Sequence, residues 1–459
     1  MKKNLFGRKL FFALLLLIAF GNCKKDFTAK SSSASNDMLS LAATKPNIVL
    51  ILADDIGYEV PTVNGGESYS TPNIDMMARF GMRFTQCYAS PMCSPSRFML
   101  LTGKYNYRNY HGWGVMDQSQ RTFANMLSDA GYDTYVAGKW QLDGADQSVR
   151  IFGFNQSYTI FEQYDQTALN HDSDPKTLGR YKSPELYANG ASLQAGTTVN
   201  KYCDDILVDS VVTYASRSAE KQKPFFIYYP VSLCHQPYSP TPDDPQYAAW
   251  DPLKQLSDST FFPSMVKYMD KKLGELFRRF DSMGLVKNTV FIFVGDNGTP
   301  HAIYSMYKGQ LVQGGKMQST VWGTHVPLMV YWRGVVKPGI NSDLIDFTDF
   351  LPTLAGIANI PVPTTYGPLD GVSFYPRLKG LPGTPRSWVF CHYDPDHINP
   401  SVLKRWIQDT TYKLYDSTGY FYNTVLDPYE KTKLKDSQLT ANEKAIKANF
   451  QSIMDTLHN

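Results

Sequence analysis

Three stretches of the chain carry residues able to hold a cation or bind an anion. Asp54-Asp55 closes one apolar run, Asp296-Asn297 closes another inside Gly295-Asp296-Asn297-Gly298, and Cys93-Ser94-Pro95-Ser96-Arg97 precedes a third. Asp54, Asp55, Asp296 and Asn297 offer hard oxygen donors and three negative charges. That set suits Ca²⁺ or Mg²⁺ rather than zinc, which prefers nitrogen and sulfur. Taken singly, Asp-Asp and Asp-Asn-Gly are also common turn sequences. Pro95 is a natural first-turn residue and Phe98-Met99-Leu100-Leu101 continues as a buried helix. Cys93 then stands at a helix N-terminus, where the dipole and free N–H groups favour an anion, with Arg97 one turn above it on the same face. A lone cysteine near an arginine reads equally as a buried structural thiol. A further apolar run leaves through Ser232-Leu233-Cys234-His235.

These residues need a scaffold that brings them together. Asn47–Leu52 is an unalternating, β-rich apolar run, the pattern of a strand buried on both faces. Tyr132–Ala137, Phe225–Val231, Thr289–Val294 and Pro327–Trp332 repeat it. Helical patterns lie between them, the clearest placing Val266, Met269, Leu273, Phe277 and Phe280 on one face. Alternating strands and helices predict an α/β fold with a large, mostly parallel central sheet flanked by helices, and in such a sheet function sits at the carboxyl ends of the strands. After Gly380 the texture changes. Val389–His392, Tyr412–Tyr415 and Tyr420–Tyr422 read as short antiparallel strands, with Ser417-Thr418-Gly419 as a hairpin turn and a polar helix from about Thr440 to Leu457. The expected organisation is a leader over 1–22, a tether over 23–44, a catalytic α/β domain over 45–380 and a C-terminal subdomain of antiparallel sheet plus helix over 381–459.

With these residues placed, the chain resembles the type I, formylglycine-dependent sulfatases of the alkaline phosphatase superfamily. Their motif is Cys-x-Pro-x-Arg, a short apolar stretch and Thr-Gly; this chain has Cys93, Pro95, Arg97 and then Leu100-Leu101-Thr102-Gly103. The supporting segments follow in the family's order. They are Asp54-Asp55-Ile56-Gly57-Tyr58, Thr71-Pro72-Asn73-Ile74-Asp75, Gly138-Lys139-Trp140, His235 with Pro237, Gly295-Asp296-Asn297-Gly298 and Gly314-Gly315-Lys316. Asp349–Thr353, Asp370–Ser373, Tyr412-Lys413-Leu414 and Asp427–Glu430 complete the set. The resemblance spans Pro46 to about Leu434. It implies that a maturation enzyme oxidises Cys93 to formylglycine, whose hydrate attacks the sulfur of a sulfate ester. It also implies that Asp54, Asp55, Asp296 and Asn297, with the converted Cys93, hold the metal, and that Arg97, Lys139 and Lys316 neutralise the sulfate. Asp296 is implied as base, His235 and Lys316 as donors to the leaving oxygen, and Lys139, His235 and Lys316 as substrate contacts.

One position departs from the pattern. The family has His two residues after the first Lys and this chain has Gln141, which can hydrogen-bond but cannot accept a proton near neutral pH. Either another base such as His111 or water serves, or regeneration is impaired. A second departure, Val321-Trp322-Gly323-Thr324-His325-Val326-Pro327 in place of Glu-Gly-Gly-x-Arg-Val-Pro, bears on the fold around Lys316. Tyr110, His111 and Trp113 are expected near the pocket mouth, with His301, Tyr304 and His325 as further candidates that packing also explains.

The N-terminus has a basic stretch, an apolar run from Leu10 to Phe20 too short to span a membrane, and then Cys23. This resembles a bacterial lipoprotein signal with Cys23 as the lipid-anchored residue, and predicts a periplasmic or cell-surface protein. Four of the 45 basic residues (Lys2, Lys3, Arg8, Lys9) lie in that leader, leaving 41 against 42 acids. A nearly neutral body gives no reason to expect nucleic acid as a partner. The expected activity is hydrolysis of sulfate esters, on carbohydrates or glycans. Two other readings stay open: a phosphoester or phosphonate hydrolase of the same superfamily, and a catalytically impaired binder of sulfated glycan.

Overall fold

The computed structural model describes residues 45–160, 180–395 and 402–457, apart from residues 195, 253 and 256. The expected leader, tether and lipid-anchored Cys23 lie outside the described residues. Strand β1, Asn47–Ala53, is buried along its whole length. Because successive side chains alternate across a strand, Ile48, Leu50 and Leu52 enter one core while Val49, Ile51 and Ala53 enter the other. The continuous apolar run is thus the signature of a strand covered on both faces. Chain order continues with β2 (Met82–Tyr88), β3 (Asp133–Lys139), β4 (Gln156–Ile160), β5 (Leu186–Ala188), β6 (Ala191–Ser192), β7 (Phe225–Val231), β8 (Thr289–Gly295), β9 (Tyr304–Tyr307), β10 (Gln310–Gln313), β11 (His325–Trp332), β12 (Gly339–Asn341) and β13 (Ile345–Asp346).

The main sheet runs β12-β2-β11-β8-β1-β7-β3-β4-β5-β6, with β13 also on β2. Strands β8, β1, β7, β3 and β4 are mutually parallel. The run expected at Pro327–Trp332 starts two residues earlier and is antiparallel to both its neighbours, β8 and β2. Helices Pro72–Phe80, Cys203–Glu220 and Phe262–Ser282 cover one face, and Cys93–Thr102, Phe123–Asp129 and Phe350–Ala358 cover the other. The five residues expected on one face of Phe262–Ser282 are all buried. Lys272 on that helix is buried too, because its ammonium reaches Asp205 at 2.8 Å.

A second sheet, β14 (Val389–Tyr393), β15 (Lys404–Gln408), β16 (Tyr412–Tyr415) and β17 (Phe421–Asn423), is antiparallel throughout. The strand missed from sequence is β15, which lies between two that were expected. Helix Ala441–Thr456 follows. Thr440 and Glu443 form a reciprocal capping box at its start, and Phe450 and Met454 are its buried residues. Among the described residues no helix is long and apolar enough to cross a membrane.

Candidate active site

Five adjacent parallel strands end at one edge, and the chain leaving four of them meets there. Past β1 come Asp54 and Asp55, past β8 Asp296 and Asn297, past β7 His235, and β3 ends on Lys139. Cys93 follows β2 from the same edge as the first residue of its helix, as expected. Backbone bonds stitch these ends together: Asp54 N–H donates to Leu233 O at 3.2 Å, Cys234 N–H to Asp54 O at 2.8 Å and Asp296 N–H to Ala53 O at 3.0 Å. Asp55 adopts φ +62°, a left-handed turn conformation unusual for a residue with a side chain, and its N–H donates to Asp296 Oδ1 at 3.0 Å. Gly298, just beyond Asn297, has no room for a side chain. A Cβ there would lie 1.8 Å from Trp322 O, so the divergent Val321–Thr324 segment packs backbone to backbone against the acidic loop.

Asp54, Asp55, Asp296, Asn297, Cys93, Arg97 and Lys139 are all at most 3% exposed. Lys139 Nζ donates to Asp54 Oδ2 at 2.7 Å. Arg97 forks onto Asp296 Oδ2 at 2.8 and 3.2 Å and also donates to Lys139 O at 3.1 Å. Lys316 Nζ holds both Asp55 oxygens at 2.7 Å, and Asn297 Nδ2 donates to Asp55 Oδ1 at 2.8 Å. His235 Nε2 lies 3.9 Å from Asp55 Oδ2. Its Nδ1 faces Gln236 O at 2.7 Å, which assigns the Nδ1 proton to that carbonyl and turns Nε2 toward the site. Burial opposes the Asp54 charge, but Lys139, His235, Arg97 and Lys316 outweigh it and hold that carboxyl well below the usual range. Asp296 is pushed up by burial and by the Asp54 carboxylate beside it.

The donor set fits a hard divalent cation. Asp54 Oδ1 and Asn297 Oδ1 are buried and have no hydrogen-bond partner among the described residues. Carboxylate oxygens of Asp54 and Asp55 and a ring nitrogen of His235 lie within 4.8 Å of one another. Buried acceptors without donors are costly, and a cation touching several oxygens is a partner that would satisfy both at once.

The loop carrying Lys316 is fixed from three sides. Lys316 N–H donates to Thr299 O at 3.0 Å and Met317 N–H to Pro91 O at 2.8 Å, tying it to the acidic loop and to the approach to Cys93. From the second sheet, the buried Lys413 ammonium bonds Ser319 O and Glu430, and Tyr415 Oη lies 2.7 Å from Ser319 Oγ. Cys93 itself packs with Met92, Cys391, Tyr393 and Trp406, and the half-buried Trp113 lies against that cluster. His301 is exposed in the loop between Asn297 and Lys316, its ring meeting Gln313, Gln318 and Gly314 O. Gln141, two residues past Lys139, is half-buried with φ +51°. His111 is itself exposed, at the start of a largely buried turn closed by its N–H to Val115 O. His325 is a packing residue, stacked on Tyr58 at 3.9 Å and Tyr88 at 5.0 Å. All five cysteines within the described residues are buried and free, so no disulfide forms among them.

Two residues absent from every motif also reach the site. Arg180, 3% exposed, has NH1 3.9 Å from Asp54 Oδ2. The Tyr181 hydroxyl meets Ser232 O at 2.8 Å and His235 O, and so clasps the turn that carries His235. The signal that finds them is topological: β5 runs antiparallel to β4 with Leu186 opposite Ile160, so residues just before β5 stand at the active edge. Tyr181→Phe strips the shared donor from two buried carbonyls. It is expected to cost about 1–3 kcal/mol in denaturant unfolding and to lower kcat.

Comparison with known proteins defines the class. The sulfatase family model matches residues 46–360. The chain belongs to the sulfatase family, within the alkaline phosphatase superfamily, and is a sulfuric ester hydrolase. It is 29% identical to human arylsulfatase A over 394 residues, covering 78% of this chain and 72% of that one. It is also 29% identical to the N-acetylgalactosamine-6-O-sulfatase of Bacteroides thetaiotaomicron over 414 residues, covering 75% and 78%. A structure solved in complex with its substrate D-glucosamine-2-N,6-O-disulfate shares the fold, with a TM-score of 0.69 at 19% identity over 90% of this chain and 98% of that one.

Proposed function

We propose that this sulfatase removes sulfate from carbohydrates, with formylglycine made from Cys93 as nucleophile and Ca²⁺ held by Asp54, Asp55, Asp296 and Asn297. The observation that carries the reading is the meeting of Cys93, Arg97, Lys139 and Lys316 around two buried oxygen acceptors that lack hydrogen bonds among the described residues. A hydrated formylglycine supplies a hydroxyl to attack sulfur, and a divalent cation supplies charge neutralisation there. Arg97, Lys139 and Lys316 bind and orient the sulfate. The Lys316 ammonium, pinned on Asp55, is placed to protonate the leaving oxygen, and His235 Nε2 shares that task when the ring is protonated. Carbohydrate is supported by the names of the relatives, one an N-acetylgalactosamine sulfatase and one solved with a sulfated glucosamine.

Export, lipid attachment at Cys23 and conversion by a maturation enzyme belong to the same reading, as does a C-terminal subdomain over 381–459. The test is the mass of the Cys93 peptide from protein made beside a formylglycine maturase, followed by sulfate release from sulfated glycans. Conversion without sulfate release from any glycan or aryl sulfate would defeat it.

Gln141 supports a second reading, a protein that binds sulfated glycan and turns over poorly. Single-turnover kinetics separate the two. The first reading expects steady release after the first turnover; the second expects one equivalent of alcohol and then arrest.

A further inference from the structure

We propose that the β9–β10 hairpin carries a sugar-binding ledge, with Tyr304 as its stacking surface and His301, Gln313 and Gln318 as its polar base. The ledge holds the glycan on the leaving-oxygen side of Lys316. This assignment rests on the carbohydrate reading given above. Across the hairpin Tyr304 faces Gln313 and Met306 faces Leu311, while Ser305 faces Val312. Opposed residues share a face and successive residues alternate, so the ribbon has two unlike sides. Ser305 and Val312 are 2% and 4% exposed, and the Ser305 hydroxyl meets that of the buried Tyr69 at 2.8 Å. On the other side Tyr304 is 56% exposed and Leu311 64%. One side therefore anchors the hairpin, and the other offers an aromatic ring to whatever enters the site.

Position gives that face its occupant. The hairpin leaves the acidic loop after Asn297 and returns directly into Lys316, and Gly314 N–H closes its base on Ile303 O at 2.9 Å. Tyr304 and Gln313 are the pair nearest that base. Gln313 precedes Lys316 by three residues, at most about 10 Å of chain. Lys316 is placed to protonate the leaving oxygen, so the alcohol half of the ester lies on this side. In a sulfated glycan that half is a sugar. The base is polar and organised. Gln313 Nε2 meets His301 Nε2 at 3.0 Å and His301 O at 2.9 Å. Gln318 Nε2 meets His301 Nδ1 at 3.0 Å, and Nδ1 also faces Gly314 O at 3.2 Å. These contacts orient an exposed imidazole, and each glutamine has a carbonyl oxygen able to accept from a hydroxyl. A pyranose presents C–H groups on its faces and hydroxyls around its rim. A tyrosine ring beside an imidazole and two amides matches both, whereas a purely aryl alcohol would leave the amides unused.

The test uses the full-length converted enzyme with two probes, the best substrate from a panel of singly sulfated disaccharides and nitrophenyl sulfate. Selectivity is the ratio of their kcat/KM values. Tyr304→Ala is expected to lower it about tenfold, chiefly by raising KM for the disaccharide. Tyr304→Phe should restore it, because the stacking ring is kept. His301→Ala should lower it about 3- to 10-fold. Both side chains are exposed, so melting temperatures should stay near wild type. Wild-type selectivity in both alanine variants would overturn the proposal. So would an equal fall of the two kcat/KM values, since the hairpin would then only support Lys316. Wild-type enzyme that acts on no disaccharide would defeat the carbohydrate reading and the ledge with it, and that failure shows in the wild-type arm alone.

Discussion

Sulfate release is expected to fall by at least about 10⁴-fold when Cys93 is replaced by alanine, while the protein still folds. The substitution removes one sulfur from a position that is 1% exposed and packed against Met92, Cys391, Tyr393 and Trp406. Trading a thiol for a methyl group there shrinks the packed volume only slightly, so the stability cost should stay within about 1–2 kcal/mol. Every other charged partner is anchored without Cys93: Arg97 on Asp296, Lys139 on Asp54 and Lys316 on Asp55. The electrostatic pocket therefore survives, and the variant should bind inorganic sulfate near wild-type affinity. Calorimetry and a sulfate-release assay read the two quantities separately. Residual turnover within about tenfold of wild type would remove Cys93 from the chemistry.

The second large effect falls on stability. Asp54→Asn keeps the shape and deletes the charge that faces Lys139 at 2.7 Å, Arg97 at 3.7 Å and Arg180 at 3.9 Å. Breaking a buried pair on one side leaves its partners uncompensated, and such losses run to about 3–5 kcal/mol. The new amide also brings a donor into a place where only acceptors are useful. Denaturant unfolding of the metal-free protein should show this loss. If the proposed Ca²⁺ is held there, the rise in melting temperature it gives the wild type should vanish, because stabilisation by a ligand follows its affinity for the folded state. Activity should fall below detection. Wild-type stability in the metal-free variant would mean that these cations do not depend on Asp54.

The parts of this site that the sequence displays are those where a buried strand gives way abruptly to acids. β1 and β8 are continuous apolar runs, so Asp54 and Asp296 mark their carboxyl ends without ambiguity. The Cys93 helix is legible because Pro95 and the apolar residues after it fix its first turn. β2 and β15 are harder to see: Met82–Tyr88 and Lys404–Gln408 mix buried with half-buried positions and carry arginine or lysine, so neither shows a clean period. Arg180 is invisible for a different reason. It belongs to no motif, precedes a strand of only three residues, and acquires its place solely from the pairing of β5 with β4. The buried Lys413 lies between the two cases. Its segment is recognisable by family, but only the folded chain shows that its ammonium secures the Lys316 loop through Ser319.

The roof over Cys93 sets a clock. Any enzyme that oxidises this thiol must reach it before Cys391, Tyr393 and Trp406 close over it. Trp406 lies 313 residues further along the chain. At about 5–20 residues per second, a ribosome needs roughly 15–60 s to synthesise that stretch, and through that interval the helix start has no lid. If Cys93 is the formylglycine precursor proposed above, a cell that folds this chain faster than a maturase acts would accumulate protein sealed with an unconverted thiol. Slower synthesis at low temperature would then raise the active fraction without altering the folded molecule.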